Sequence, residues 1–370
     1  MRDSVLHLPP MGEPPAPGSR EARARGQAPP GKGASRAPAR RPFILWLALA
    51  LVACSPASKS RPAAGAPVPI RFATDWRAEA EQGGFYEALA DGEYAKRGLA
   101  VTIVPGGAGV NVPQLVASGA VELGIGSNSF IVMNLAQADV PVRAVAAFMQ
   151  KDPQVLIAHQ GVGINSIGDM KGHPILLADA SITAFWVWLK AKYGFTDDQV
   201  RKYTFNNGPF LADKRAVQQG YLTSEPYTLE KQAHMTPKVF LLADEGYPGY
   251  ADMILASDRL IASDPKAVRA FIEASAAGWR DYLHGDPAPA DALIMKDNPE
   301  MTPDVLAQAR AKMIAYGIVD SGDAAKLGPG AMSDARWAAF FRVASDQRVY
   351  PKSLDARRAY TLAFVSPPAK

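Results

Sequence analysis

Residues 74–104 read T-D-W-R-A-E-A-E-Q-G-G-F-Y-E-A-L-A-D-G-E-Y-A-K-R-G-L-A-V-T-I-V, and the order of patterns within them decides the fold class. Ile70, Phe72 and Thr74 alternate at strand period going in, and Leu99, Val101 and Ile103 do so coming out. Between them Phe85, Leu89 and Tyr94 share one helical face behind the Gly83-Gly84 pair, and Gly98 stands where a helix would stop. Strand, helix and strand in this order specify a layered α/β architecture. Asp75 and Trp76 then fall at the carboxyl end of a buried strand, where open α/β sheets present side chains to ligands. A lone Trp reads first as packing, so its role has to be decided by the rest of the chain.

Charge is unevenly placed along the 370 residues. Forty Lys/Arg stand against 36 Asp/Glu, yet residues 1–53 hold a net +5 and the other 317 a net −1. The basicity belongs to a leader, which removes the electrostatic case for a nucleic-acid partner. Residues 1–39, rich in Pro, Gly, Ala and Arg, read as a disordered leader extension. Arg40-Arg41 and the apolar run to Ala53 read as a signal peptide over 40–53, since the run is shorter than the ~20 residues a membrane span needs. Arg40-Arg41-Pro42-Phe43 also has a weak likeness to a twin-arginine export signal. Leu51-Val52-Ala53-Cys54 resembles a bacterial lipobox, so Cys54 is the expected lipidation site, and 54–68 reads as a lipid-anchored tether. The sequence has one cysteine, which leaves the mature chain without disulfide or thiol–metal chemistry. The expected location is periplasmic and membrane-anchored.

Beyond the opening unit, 112–118 reads as a helix and 121–125 as a strand. Ser127, Asn128 and Ser129 are N-cap residue types ahead of a helix over 130–138, suited to capping or to an acceptor or anion. A strand over 142–148 leads through Asp152-Pro153 to the apolar run 154–158, read as the first crossing into a second lobe. There 175–178 reads as a strand, Asp179, Ser181 and Thr183 as a loop and capping cluster, and 184–193 as a helix. Phe185 and Trp186 are adjacent on it, with Trp188 close by, so at least one aromatic near its start is expected to face a cleft or solvent. Residues 203–205 read as a strand, 211–219 as a helix and 221–224 as a strand. Pro226 is expected to hold Glu225 extended and projecting outward at its end. A strand over 239–242 and a return crossing at 253–256 precede helices over 264–284, 287–297, 303–316 and 334–346. Lobe 1 is thus expected over 69–158 and 257–370, and lobe 2 over 159–256.

There is no HExxH, no close His pair, no GxSxG and no GxxxxGK[ST], and Pro105–Gly109 lacks the GxGxxG spacing. No catalytic residue, metal or cofactor is expected.

Asp75-Trp76, Gly83-Gly84-Phe85-Tyr86, Gly92-Glu93-Tyr94, Gly98-Leu99-x-Val101-x-Ile103 and Pro105-Gly106-Gly107 together resemble the periplasmic-binding family around thiamine-pyrimidine precursors. The resemblance covers about 69–285 of the chain. That family includes formylaminopyrimidine-binding proteins of ABC importers and the yeast-type hydroxymethylpyrimidine phosphate synthases, and it is similar to sulfonate, taurine and nitrate binders. It implies a type II periplasmic-binding-protein fold: two α/β lobes joined by two crossing strands, with a helical C-terminal part and the ligand in the cleft. It implies hinge closure that presents a small-molecule ligand to an ABC permease in the inner membrane. A monomer that is not an enzyme fits that role. In the pyrimidine binders aromatics sandwich the ring and a lobe-two carboxylate pairs with its nitrogens. Carried over, Trp76 takes one stacking position, Tyr221 the other, and Glu225 is the carboxylate.

Asp75, Phe85, Tyr86, Ser127, Asn128, Ser181 and Thr183 complete the candidate ligand set. The synthase branch is marked by a Cys-rich iron motif, and this chain has no Cys after Cys54. A sulfonate or nitrate site needs several N–H donors and usually an Arg. The cleft loops here instead offer Trp76, Phe85, Tyr86, Phe185, Trp186 and Tyr227 with acidic Asp75, Asp179 and Glu225. The reading is therefore a lipoprotein that captures an aminopyrimidine-like thiamine precursor. A pyrimidine-synthesis enzyme of the same fold, a sulfonate, taurine or nitrate binder and a sensor lipoprotein are the alternatives.

Overall fold

In the computed structural model residues 65–365 are described. The leader extension, the signal peptide, Cys54 and nearly all of the tether lie outside the described residues. Ten strands follow one another: β1 (Val68–Ala73), β2 (Leu99–Val104), β3 (Leu123–Asn128), β4 (Val142–Met149), β5 (Gln154–Ala158), β6 (Ile175–Leu177), β7 (Val200–Lys202), β8 (Val217–Tyr221), β9 (Lys238–Leu241) and β10 (Ala251–Ser257).

They form two five-stranded sheets built to one plan. The first has the order β2-β1-β3-β10-β4, with β1 parallel to β2 and β3, and β10 antiparallel to β3 and β4. The second has the order β7-β6-β8-β5-β9, with β6 parallel to β7 and β8, and β5 antiparallel to β8 and β9. Each sheet takes its antiparallel strand from the chain as it arrives from the other. This is the two-lobe α/β fold with a helical C-terminal part that the sequence leads one to expect. The crossings themselves lie one element earlier than read. β5 already belongs to the second sheet and β10 to the first, so the chain changes lobe in the short segments 150–153 and 242–250. An apolar run looks alike whether it joins the sheet it leaves or the one it enters.

The Gly83-Gly84 pair serves close packing. The helices Gly83–Ala90 and Pro265–His284 pass so near each other that a Cβ on Gly84 would stand 2.2 Å from the Trp279 ring, and one on Gly278 2.2 Å from the Gly84 carbonyl oxygen. Phe85 is thereby seated in the lobe-1 core against Phe72, Phe148 and Trp279, at 4.9, 5.2 and 5.8 Å between ring centroids. The exposed edge of β4 is covered by the C-terminal segment, where Thr361 N–H donates to the Ala144 carbonyl and Gly330 bridges Ala147.

Several local expectations are corrected. Gly92, at φ 70°, divides the first helix, which resumes as Glu93–Lys96. The stretch 211–219 is not one helix: a helix at Gly208–Ala212 is followed by a turn in which Asp213 accepts from Arg215 N, and then by β8. Gln218 and Gln219 are buried there because Gln218 donates to Asn207 and Gln219 accepts from Ala178 N. The strand read at 203–205 lies at 200–202. Asp179–Ile182 is a short helix rather than a loop. Phe185, Trp186 and Trp188 are all buried, none facing solvent. Their helix, Phe185–Tyr193, is enclosed from more than one side: Phe195 packs on Trp186, whose indole N–H donates to Asp197, and Tyr247 packs on Trp188.

Candidate functional site

The parallel strands of both sheets end toward the segments that connect them. β1 delivers Thr74, Asp75 and Trp76 there. The loop is pinned by the Pro105-Gly106 turn: Gly106 N–H donates to the Trp76 carbonyl (3.0 Å) and the Thr74 hydroxyl (3.1 Å), and that hydroxyl donates to the Trp76 carbonyl (2.7 Å). Only glycine fits, because a Cβ on Gly106 would lie 2.2 Å from the Thr74 carbonyl oxygen. So held, the half-buried Trp76 ring meets Phe205 of the other lobe at 4.5 Å between centroids and 47° between planes. Phe205 follows β7, is 43% exposed and sits at φ 61°, a left-handed conformation that costs an ordinary side chain roughly 1–2 kcal/mol. Such residues cluster at ligand sites and switch segments.

Behind this aromatic pair lies a group of carboxyls. Asp75 follows β1, and Glu81 sits in the turn Ala80–Gln82 ahead of the first helix. Asp152 lies in the outgoing crossing and Asp252 near the start of β10. Glu81, Asp152 and Asp252 are buried, Asp252 at 2% exposure. Burial is the largest cause lifting all four above the usual carboxylate range. Asp152 is pushed up to about 7, and Asp252 well above normal by burial together with Asp75, Glu81 and Asp152. Burial raises Glu79 as well, with Glu81 and Glu225 adding to it. Among the described residues no cationic side chain acts on the four. Asp152 accepts from Gln154 N at 3.0 Å and Glu81 accepts from the Thr223 hydroxyl, while Asp75 Oδ1 and Asp252 Oδ2 are buried without a partner.

The structure gathers some of the candidate residues here and sends others elsewhere. Asp75, Trp76, Ser127 and Tyr221 belong together: Ser127 acts to lower the Asp75 carboxyl against its burial, and Tyr221 is raised well above a normal phenol by burial and then by Asp152, Asp252, Asp75 and Glu81. Glu225 is present but not extended. It opens the helix Glu225–Ala233 and turns back on its own lobe, accepting from Tyr221 N at 2.8 Å and from the Tyr203 hydroxyl at 3.3 Å. A proline tolerated in a first helical turn starts a helix there instead of prolonging a strand. Phe85 and Tyr86 leave the set. Phe85 is core, and Tyr86, also buried, donates to Asp297 Oδ2 at 2.9 Å on the helix Ala288–Asp297. Asn128 caps the helix Ser129–Gln137 through Phe130 N. Ser181 is buried in its short helix, Thr183 is exposed, and Asp179 pairs with Lys202 at the surface.

Phe205, Glu79, Glu81, Asp152, Asp252 and Thr223 were absent from the sequence-derived set. Only Asp152-Pro153, as a boundary, left a local signal.

The two lobes are closed on each other. Besides Trp76–Phe205 and Glu81–Thr223, Asp304 at the start of the helix Pro303–Ala315 accepts from the Tyr227 hydroxyl (2.7 Å) and from Lys231 (2.6 Å), and Gln308 donates to the Thr223 carbonyl. Two recesses, of ≈ 330 Å³ beside Pro265, Arg269 and Glu273 and ≈ 210 Å³ beside Gly119, Arg259 and Ser263, include no residue of this group.

The family model described as NMT1/THI5 like matches residues 79–290. The riboflavin-binding protein RibY of Chloroflexus aurantiacus is 27% identical over 278 residues, which span 69% of this chain and 77% of that protein. The periplasmic aliphatic sulphonate binding protein SsuA of Escherichia coli superposes with a TM-score of 0.60 at 14% identity, over 82% of this chain and 94% of that one. The desulfurization enzyme DSZB does so with a TM-score of 0.54 at 11% identity, over 80% and 97%. Likeness at such identities concerns the fold alone, and here the fold is common to a binding protein and an enzyme.

Proposed function

This chain belongs to the NMT1/THI5-like family, and from that premise we propose that it is the solute-capturing component of an ABC import system, taking a small, flat, amino-bearing heterocycle of the aminopyrimidine kind. The observation that carries this reading is the Trp76–Phe205 contact between opposite lobes, set over carboxyls that no cation among the described residues neutralises. Phe205 occupies the face of Trp76 that a solute's ring would take, so entry requires the lobes to part and Phe205 to swing off. Trp76 then stacks the ring, Tyr221 lines the far side, and the carboxyls accept its N–H groups. Thiamine precursors are the expected members of this class. Capture and presentation to a permease in the inner membrane are the whole of the chemistry, carried out by a monomer exported to the periplasm and lipid-anchored through Cys54.

The name of the riboflavin-binding relative points to a flat heterocycle as well. A sulfonate reading is weaker, because an anion would meet carboxyls where it needs donors. An enzymatic reading has only the shared fold behind it. A thermal-shift series tests the proposal. An aminopyrimidine stabilises the protein, taurine does not, and Trp76→Ala removes the effect. Stabilisation by taurine alone, indifferent to Trp76→Ala, overturns it. A lipidated N-terminal peptide beginning at Cys54, seen by mass spectrometry, tests the anchor.

A further inference from the structure

We propose that the inner end of the cleft is an ammonium subsite, in which Asp75, Glu81, Asp152 and Asp252, with Tyr221, receive a protonated amine carried by the solute's ring. This deepens the reading of the cleft as a solute site and rests on it. Four carboxyls from four separate segments act on one another near the hinge, two from the first lobe and one on or beside each crossing. Among the described residues, no Lys or Arg compensates them.

Two of their oxygens are buried and unpartnered, Asp75 Oδ1 and Asp252 Oδ2. Asp252, 2% exposed, stands at φ 44°, a backbone conformation uncommon for a residue other than glycine. A buried polar atom without a partner costs free energy, and a donor from outside would recover it. Among the described residues no three His, Cys, Asp or Glu side chains stand close enough together to hold a metal ion. A cation with several N–H donors can satisfy such carboxyls without their converging on one point. An ammonium group offers three, and charge-assisted hydrogen bonds to carboxylate are about twice as strong as neutral ones. Burial raises the pKa of each of these carboxyls. An arriving cation makes their ionised forms favourable, and the displaced protons leave to solvent. Among the described residues no Lys or Arg acts on these carboxyls, so a sulfonate would lack the cationic donors it needs here.

Three probes of matched size separate the possibilities in calorimetric titrations: an aminopyrimidine bearing an aminomethyl group, the same ring bearing hydroxymethyl, and benzenesulfonate. The aminomethyl probe is expected to bind at least about tenfold tighter than the hydroxymethyl one, and Asp252→Asn to collapse that ratio toward one. Asp75→Asn makes the same test should Asp252→Asn fail to fold. Equal binding of both aminopyrimidines, lost in Trp76→Ala but with a ratio indifferent to Asp252→Asn and Asp75→Asn, refutes the subsite and leaves the solute reading standing. Preference for benzenesulfonate, or no binding of either aminopyrimidine, refutes both.

Discussion

Glu87 offers a measurement of folding energetics that is separate from any ligand. It lies in the helix Gly83–Ala90, is 1% exposed, and has both carboxylate oxygens buried without a close partner. Burial first, then Asp91, push it up from 4.5 to about 7, against an opposing effect of the Ala290 N–H and with smaller additions from Asp281 and Asp286. A folded-state pKa above the unfolded one means the native protein binds the proton more tightly, so its stability falls as pH rises. Below about pH 4.5 both states are protonated and nothing is lost. Between there and about pH 7 the unfolded chain ionises while the folded one holds its proton, and above that the loss is constant.

At about 1.4 kcal/mol per pH unit, with a discount for solvent screening, the total is roughly 2–3 kcal/mol. Glu87→Gln cannot ionise. The stability of the variant relative to the native protein should therefore climb by that amount between pH 5 and pH 7.5, and then level off. Urea denaturation of both proteins at closely spaced pH values reads this difference, and contributions of Asp152 and the other cleft carboxyls cancel in it. A difference that stays flat within roughly 0.5 kcal/mol across the range would refute the assignment of a proton to Glu87.

Two further outcomes concern the cleft. Gly106→Ala places a Cβ 2.2 Å from the Thr74 carbonyl oxygen, so the loop must move and carry Trp76 with it. An aminopyrimidine that stabilises the native protein should then bind about tenfold more weakly by calorimetry, and unchanged affinity would show that the Trp76 loop does not position the solute. Asp304→Ala removes the acceptor shared by Tyr227 and Lys231. It should speed ligand dissociation in stopped-flow fluorescence, and added salt should do the same in the native protein but less in the variant. A dissociation rate untouched by the substitution would mean that these contacts do not hold the lobes together.

The sequence by itself determined the parts whose information is local. Period-two alternation marked β1 and β2, proline and aspartate ahead of apolar stripes marked the four long C-terminal helices, and strand-then-loop order put Asp75 and Trp76 at a strand's carboxyl end. Those signals are written within a turn or two of chain. The β8 strand escaped because Gln218 and Gln219 look like surface residues until their buried partners are known. Phe85 and Tyr86 stand in the sequence-based set as aromatics of the expected cleft loops. The destination of each ring was set by the close crossing with Pro265–His284 and by Asp297, both far along the chain.

Tertiary structure alone decided the site. Asp75, Glu81, Asp152, Asp252 and Phe205 share no spacing, period or motif, and they meet because two sheets exchange one strand each across a pair of crossings. Charge brought together against its own repulsion cannot be inferred from neighbouring residues, because the low dielectric that gives it meaning exists only once the chain has folded around it.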